Sequence, residues 1–115
     1  MNYIVIGLGN FGAALAIKLT EMGNDVIGID NRMDKVELHK ASMAHTINMN
    51  CADPEAVKGL PFQNTDVVIV GIGEDEGANI LVSDLMKRMQ VKRLISRAVS
   101  PLQVTVLEAM GVDEI

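Results

Sequence analysis

The sequence holds a single cysteine, Cys51, which rules out a disulfide framework and a cysteine-rich metal site. Aromatic side chains are almost as scarce. Tyr3, Phe11 and Phe62 are all there are, with no tryptophan, so the core must be aliphatic, with eight methionines to fill its gaps. No apolar run approaches the ~20 residues of a membrane-spanning helix. The N-terminus has neither the basic lead nor the cleavage site of a signal peptide. Basic residues are the remaining shortage: 10 Lys and Arg against 15 Asp and Glu give a net charge of −5 and a pI near 4.8. That balance leaves no electrostatic footprint for nucleic acid or an anionic membrane surface. A cytoplasmic chain is expected.

What is present is aliphatic. Hydrophobic residues make up 49% of the 115 residues, and the mean hydropathy is +0.25. Strands buried on both faces account for this, because they read as continuous apolar runs. The length suits one domain.

The chain is organised around its first twelve residues, Met1-Asn2-Tyr3-Ile4-Val5-Ile6-Gly7-Leu8-Gly9-Asn10-Phe11-Gly12. A β-branched run leads into Gly7, Gly9 and Gly12 at the G-x-G-x-x-G spacing, and a helical pattern follows. Gly7 lets the chain turn out of the strand, Gly9 lets the backbone approach a pyrophosphate, and Gly12 lets the helix lie close to the strand. The first N–H groups of that helix lack intrahelical partners and sit at the positive end of its dipole, so the turn is an anion site.

An acid about 20 residues further on completes the fingerprint. Asp30 ends the second apolar run, Asp25 to Asp30, where a carboxylate accepts hydrogen bonds from ribose hydroxyls and repels a 2′-phosphate. It favours NAD or a plain adenine nucleotide over NADP; the bland alternative is a loop carboxylate. Arg32, just beyond, either pairs with a 2′-phosphate or is a solvated residue at a helix start.

Periodicity and punctuation place the remaining elements. A helix from Asn10 to Met22 ends at Gly23, and a short polar helix covers Met33 to Ser42 with Val36 and Leu38 as its anchors. His45 to Met49 is a third strand, near an edge because polar and apolar residues alternate. Asp53 caps a helix from Pro54 to Leu60. Asp66 to Gly71 is a central strand, and the turn Gly71-Ile72-Gly73 leads to a long helix from Glu74 to Gln90. Its stripe is read as Ala78, Leu81, Val82, Leu85 and Met89. The acids Glu74, Asp75 and Glu76 at its start suit the helix dipole better than they suit a divalent ion. A fifth strand spans Val91 to Ser96, Ser100-Pro101-Leu102-Gln103 is a capping box for a helix to Met110, and Val112 to Ile115 is the start of a sixth strand.

Alternating strands and helices specify an α/β fold, a Rossmann-type doubly wound parallel sheet of order 3-2-1-4-5-6. Ligands bind such sheets at the switch point, outside the carboxyl ends of the strands. Gly7, Asp30, the Cys51 to Asp53 loop and the Gly71 to Gly73 turn all fall at that end.

These segments resemble the nucleotide-binding lobe of the RCK domain, also called the KTN or Trk N-terminal domain, of potassium channels and transporters. The likeness rests on Tyr3 to Gly12, Val26 to Asp30, Cys51-Ala52-Asp53, Val67 to Gly73 and Ile95-Ser96-Arg97-Ala98, and it covers essentially the whole chain. It implies that NAD(H), ATP or ADP sits on Gly7, Gly9, Asn10, Phe11 and Gly12, with Asp30, Asn31 and Arg32 around the ribose. Cys51, Ala52 and Asp53 would lie by the adenine, and Gly71, Ile72, Gly73 and Glu74 would close over the phosphates. Asp53 is equally well read as a helix cap alone. Arg97 either reaches the phosphates, its own or a neighbouring subunit's, or is a surface arginine. Members usually continue into a crossover helix and a C-terminal lobe, so the end at Ile115 is expected to reflect a truncation or a stand-alone lobe.

The resemblance implies a regulatory module, not an enzyme, whose nucleotide gates a membrane-embedded potassium channel or transporter subunit through a conformational change. The alternative is the cofactor domain of an NAD-dependent oxidoreductase, which needs an acid or base beside the nicotinamide. His39 and His45 are expected at the far end of the sheet, and Cys51 has no basic partner in sequence. The lobe is expected to form homo-oligomers, a dimer or a ring of dimers, through aliphatic surface on the last two helices, including Ile80, Leu85, Met86 and Met89.

Overall fold

The computed structural model describes all 115 residues. Five parallel strands form one sheet: β1 (Asn2–Ile6), β2 (Asp25–Asp30), β3 (His45–Asn48), β4 (Val67–Val70) and β5 (Leu94–Ser96). Their spatial order is β3-β2-β1-β4-β5, the doubly wound arrangement that the alternating elements specify. The helices are α1 (Asn10–Glu21), α2 (Met33–His39), α3 (Pro54–Val57), α4 (Glu76–Arg88) and α5 (Pro101–Ala109).

The two-residue period of β1 and β4 sends alternate side chains to opposite sheet faces. Ile4, Ile6, Val68 and Val70 join Val57 of α3 and Val82 and Met86 of α4 in one aliphatic cluster. Val5, Val67 and Ile69 join Ala16 of α1 in the other, with Leu8 and Met43. Both faces of the central strands are therefore covered, which is why they read as unbroken apolar runs.

Several sequence expectations shift. The sixth strand contracts to a single parallel bridge between Ile95 and Glu114, beside an ion pair of Arg93 with Glu114. Glu114 bonds the backbone of Leu94 and Ser96, and Asp113 N–H also donates to the Leu94 carbonyl, but the pairing extends no further, so the sheet has five strands. β5 itself begins at Leu94 rather than Val91, and α3 is a single turn. Leu38 is no anchor: at 72% exposure it points away from the sheet, two residues from buried Val36 and hence off its face. Met43 supplies the missing contact. The α2 helix itself stops at His39, and a 3-10 turn covers Lys40–Ser42.

The α4 stripe is also displaced. Asn79, Val82, Ser83 and Met86 are its buried residues, at the i, i+3, i+4, i+7 spacing of one helix face, whereas Leu81 is 63% exposed. Two polar residues hold inward positions, and a count of apolar residues alone passes over them. Met86 is wholly buried, so it contributes core rather than the association surface expected of it.

Candidate functional site

Gly7 leaves β1 with φ +96°, a left-handed conformation that glycine adopts without strain. Its N–H donates to the Ile29 carbonyl at 2.8 Å, so the turn is held against the end of β2. A Cβ on Gly12 would lie 1.7 Å from the Gly7 carbonyl oxygen, and only a bare Cα lets α1 pack this close. At Gly9 a Cβ would meet nothing nearer than Glu74 Oε2, at 3.9 Å. Space is open above that glycine, as close approach of a ligand to the backbone requires.

Side chains of Asp53, Asp75 and Ser100 cap α3, α4 and α5, but Gly9 at the start of α1 provides no side-chain cap. The first N–H groups of α1 therefore keep their capacity to bind an anion.

Asp30 ties this turn to the next strand. Its Oδ2 accepts from Leu8 N–H at 2.8 Å, and its Oδ1 accepts from Arg32 N–H at 2.9 Å. Each carboxylate oxygen retains a second lone pair for a ribose hydroxyl. Arg32 turns away: its guanidinium pairs with Asp34 through Nε to Oδ1 at 3.1 Å and Nη2 to Oδ2 at 2.7 Å. The same pairing, before any other influence, lowers the Asp34 carboxyl below its ordinary range.

A cavity of about 190 Å³ opens at the carboxyl ends of β1 to β4, and its walls include Gly7, Asp30, Asn31, Cys51, Ile72 and Glu74. Ala52 lines it as well; Asp53 does not. Asp53 is engaged as the cap of α3, accepting from Glu55 N–H at 3.1 Å. Cys51 is buried, and burial together with the nearby Asp30 carboxylate pushes its thiol up to about 12. At neutral pH it is a protonated, apolar wall element rather than a nucleophile. Met49 and Asn50, just past β3, also line the cavity, as do Asp75, Ala78 and Val82 at the cap and on the inner side of α4; the sequence marks the last three only as a helix-dipole acid and stripe residues.

Arg97 does not line the cavity; it lies beside the two glycine turns. Its guanidinium carbon stands 4.8 Å from the Phe11 ring centroid, and a Cβ on Gly73 would lie 2.1 Å from Arg97 Nη1, so the cation lies directly against the second glycine turn. Gly71 packs against the Gly12 Cα and the Ile6 and Gly7 carbonyls. Asn10 is exposed beside Phe11 at the start of α1.

Of the residues around the Arg97 backbone, Asn79 and Ser83 go unnoticed in the sequence, and Gln103 reads there only as part of a capping box. Buried Asn79 donates through Nδ2 to the carbonyls of Ile72, at 2.8 Å, and Arg97, at 3.0 Å. Gln103 donates through Nε2 to the same Arg97 carbonyl at 3.2 Å, and Ser83 and Ser96 share a hydrogen bond at 2.8 Å. Polar residues on the inward face of α4 are the signal that marks Asn79 and Ser83. His45 opens β3, and the site lies at the opposite end of that strand, beyond Asn48; His39 ends α2. No three His, Cys, Asp or Glu residues converge as a metal-binding group. No helix is long and apolar enough to cross a membrane.

Comparison with known proteins gives this geometry a context. The Ktr system potassium uptake protein A of Vibrio alginolyticus is 34% identical over 114 residues, covering 99% of this chain and 52% of that protein. The Ktr system potassium uptake protein C of Bacillus subtilis gives the same identity and the same coverage. The chain thus spans about half the length of the curated relatives it matches. Among solved structures, the NAD(P)-binding domain of an exopolyphosphatase-related protein from Archaeoglobus fulgidus superposes with a TM-score of 0.89 at 24% identity, covering 98% of this chain and 85% of that one. The GsuK channel bound to NAD superposes at 0.82 with 14% identity, covering 99% and 21%, and GsuK bound to ADP at 0.83 with 13% identity, covering 98% and 30%. These structural likenesses establish the shared fold. The sequence profile of the TrkA-N domain matches residues 3–115, and the chain belongs to the TrkA-N domain family.

Proposed function

We propose that this chain is the adenine-nucleotide-binding lobe of a regulatory assembly that controls a membrane-embedded potassium transporter or channel subunit. The observation that carries the reading is the bond from Leu8 N–H to Asp30 Oδ2. It joins the glycine turn to the ribose-selecting carboxylate at the mouth of the cavity. In this reading Gly7, Gly9, Asn10, Phe11 and Gly12 seat the phosphates, Asp30 and Asn31 hold the ribose, and Cys51 and Ala52 flank the adenine. Gly71 to Glu74, with Arg97, close the phosphate end. The cavity is smaller than the ~300–1,000 Å³ of a full ligand pocket, which fits one end of a nucleotide whose phosphates run along the open turn. NAD(H), ATP and ADP all carry the adenine, ribose and phosphates that this arrangement can hold.

The lobe is read as non-catalytic, because both histidines are remote from the cavity and Cys51 holds its proton. Its location is on the cytoplasmic face, through the membrane partner. Nucleotide binding acts by favouring one arrangement of paired lobes, and its leverage equals its differential affinity for the two arrangements, typically ~1–3 kcal/mol. Exposed Leu81 on α4 and Leu102 on α5 support self-association of the lobe.

Isothermal titration with NAD, NADH, NADP, ATP and ADP tests the reading. Micromolar binding of at least one of them with NADP excluded is the expected result. Absence of binding to all five would overturn it.

A further inference from the structure

The charge around the cavity does not match a generic phosphate site. Glu74 follows the second glycine turn, and its Oε2 accepts from Gly73 N–H at 3.3 Å. The same oxygen is the nearest atom to a Cβ built on Gly9, at 3.9 Å, so a carboxylate hangs over the middle glycine of the phosphate turn. Asp75 and Asp30 line the same cavity. Against these three acids stands one cation, Arg97. Arg32 is held by Asp34, and the residue after Gly9 is neutral Asn10.

One guanidinium and one helix dipole of about half a charge come nearer to offsetting the two charges of a dinucleotide's pyrophosphate than the charge of a longer phosphate chain. ADP carries about three charges near neutral pH and ATP about four, since a terminal phosphate loses its second proton near pH 6. On a chain seated along the Gly9 turn, each added phosphate would extend toward Glu74 and meet like charge.

We propose that Glu74 is a specificity-determining residue, which selects dinucleotides and short phosphate chains and rejects nucleoside triphosphates free of metal. The inference rests on the nucleotide-binding reading given above. It concerns a side chain that makes no contact needed for folding: Glu74 is exposed, and the cap of α4 is Asp75, which accepts from Ala78 N–H.

The experiment measures the affinities of NAD, ADP and ATP in EDTA for wild type, Glu74→Gln and Glu76→Gln. The second variant removes the same charge from the first turn of α4, where Glu76 faces Ser100 rather than the glycine turn. Glu74→Gln should tighten ATP at least about tenfold, between the scale of unit charges a few Å apart in bulk water and that near a protein surface, and tighten NAD less than about threefold. Glu76→Gln should leave the ATP-to-NAD ratio at its wild-type value. An unchanged ratio in Glu74→Gln, or equal shifts in the two variants, would overturn the assignment while leaving nucleotide binding intact. Failure of the wild type to bind any nucleotide would overturn both readings at once.

Discussion

The Arg97 guanidinium lies over the ring of Phe11, 4.8 Å from its centroid, and this contact joins the end of β5 to the turn after β1. Phe11 is in the first turn of α1 and Arg97 follows β5, and the strands that lead to them are not neighbours in the sheet: β4 separates β1 from β5. A cation on an exposed aromatic face is worth about 0.5–1 kcal/mol, enough to orient a side chain and too little to hold it against a phosphate. The contact therefore parks the cation without spending it.

Removing that cation should weaken phosphate-bearing ligands. Arg97→Ala is expected to cost about 1.5–3 kcal/mol in ADP affinity, the range for a hydrogen bond to a charged group, and to flatten the dependence on salt. Phe11→Leu should cost no more than about 1 kcal/mol. Titrations at two ionic strengths measure both, and an Arg97→Ala affinity equal to wild type would remove the residue from the site.

Asp30 serves the fold and the ligand together, and the two roles separate by substitution. Asp30→Asn keeps one carbonyl oxygen for Leu8 or Arg32 N–H but loses the charge that repels a 2′-phosphate. NAD affinity should fall by roughly 1.5–3 kcal/mol, and the ratio of NADP to NAD affinity should rise. Unchanged affinities for both cofactors would move the ribose elsewhere.

The glycines differ in what a methyl group would meet, so alanine at each reads a different property. Gly12→Ala drives a Cβ into the Gly7 carbonyl and should destabilise the fold by about 1–3 kcal/mol or more, as overpacking does. Gly9→Ala meets open space; its denaturation midpoint should stay within about 0.5 kcal/mol of wild type while ligand affinity drops. Urea titrations beside binding curves make the comparison. A stable Gly12→Ala would contradict the close packing of α1 on β1.

The sheet order was legible because its signals are local and repeated: each glycine or capped turn follows a β-branched run and opens a helical period. Val67 to Val70 could hardly be anything except a central strand. The convergence of Gly7, Asp30, Cys51 and Ile72 on one cavity follows from that topology alone. What the sequence hid depends on tertiary context. Asn79 and Ser83 face inward because partners await them on the strand and loop beyond, and no periodicity of apolar residues reports a satisfied polar one. The sixth strand failed for a similar reason, since pairing at the edge of β5 depends on the path of the turn after Gly111, which has φ +81°, and not on the β-propensity of Val112 to Ile115. Asp53 illustrates a third limit: one motif position suits both a helix cap and a ligand contact, and only geometry shows where its oxygen points.

Asn79 is the link between the two loops above the cavity. Asn79→Ala strips donors from the Ile72 carbonyl, and from that of Arg97, which keeps its bond from Gln103. Leaving buried polar groups unpaired costs about 1–3 kcal/mol, so the urea midpoint should fall with an unchanged slope. Nucleotide affinity measured well below that midpoint should fall too, because the Gly73 turn and Arg97 lose their common anchor. Lost stability with full affinity would make Asn79 a fold residue only.

Cys51 gives the fold an alkaline limit whose sign can be worked out. Burial, and then the Asp30 charge, raise its thiol from an ordinary 9.0 to about 12, so the folded chain holds this proton to higher pH than the unfolded chain does. Its contribution to stability is complete below pH 9.0 and is lost as pH rises from there toward about 12. The unfolded state binds fewer protons across that window, so the stability falls by up to about 1.4 kcal/mol per pH unit. Cys51→Ala lacks the titrating group. It should be less stable than wild type at pH 7 because it leaves a small cavity, and the gap should narrow as pH climbs through 9 to 10.5. Urea midpoints of both proteins across that range provide the check, and parallel curves would mean that the thiol is not shielded. The same shielding makes the thiolate rare at pH 8, so iodoacetamide should label Cys51 far more slowly in the folded chain than in urea.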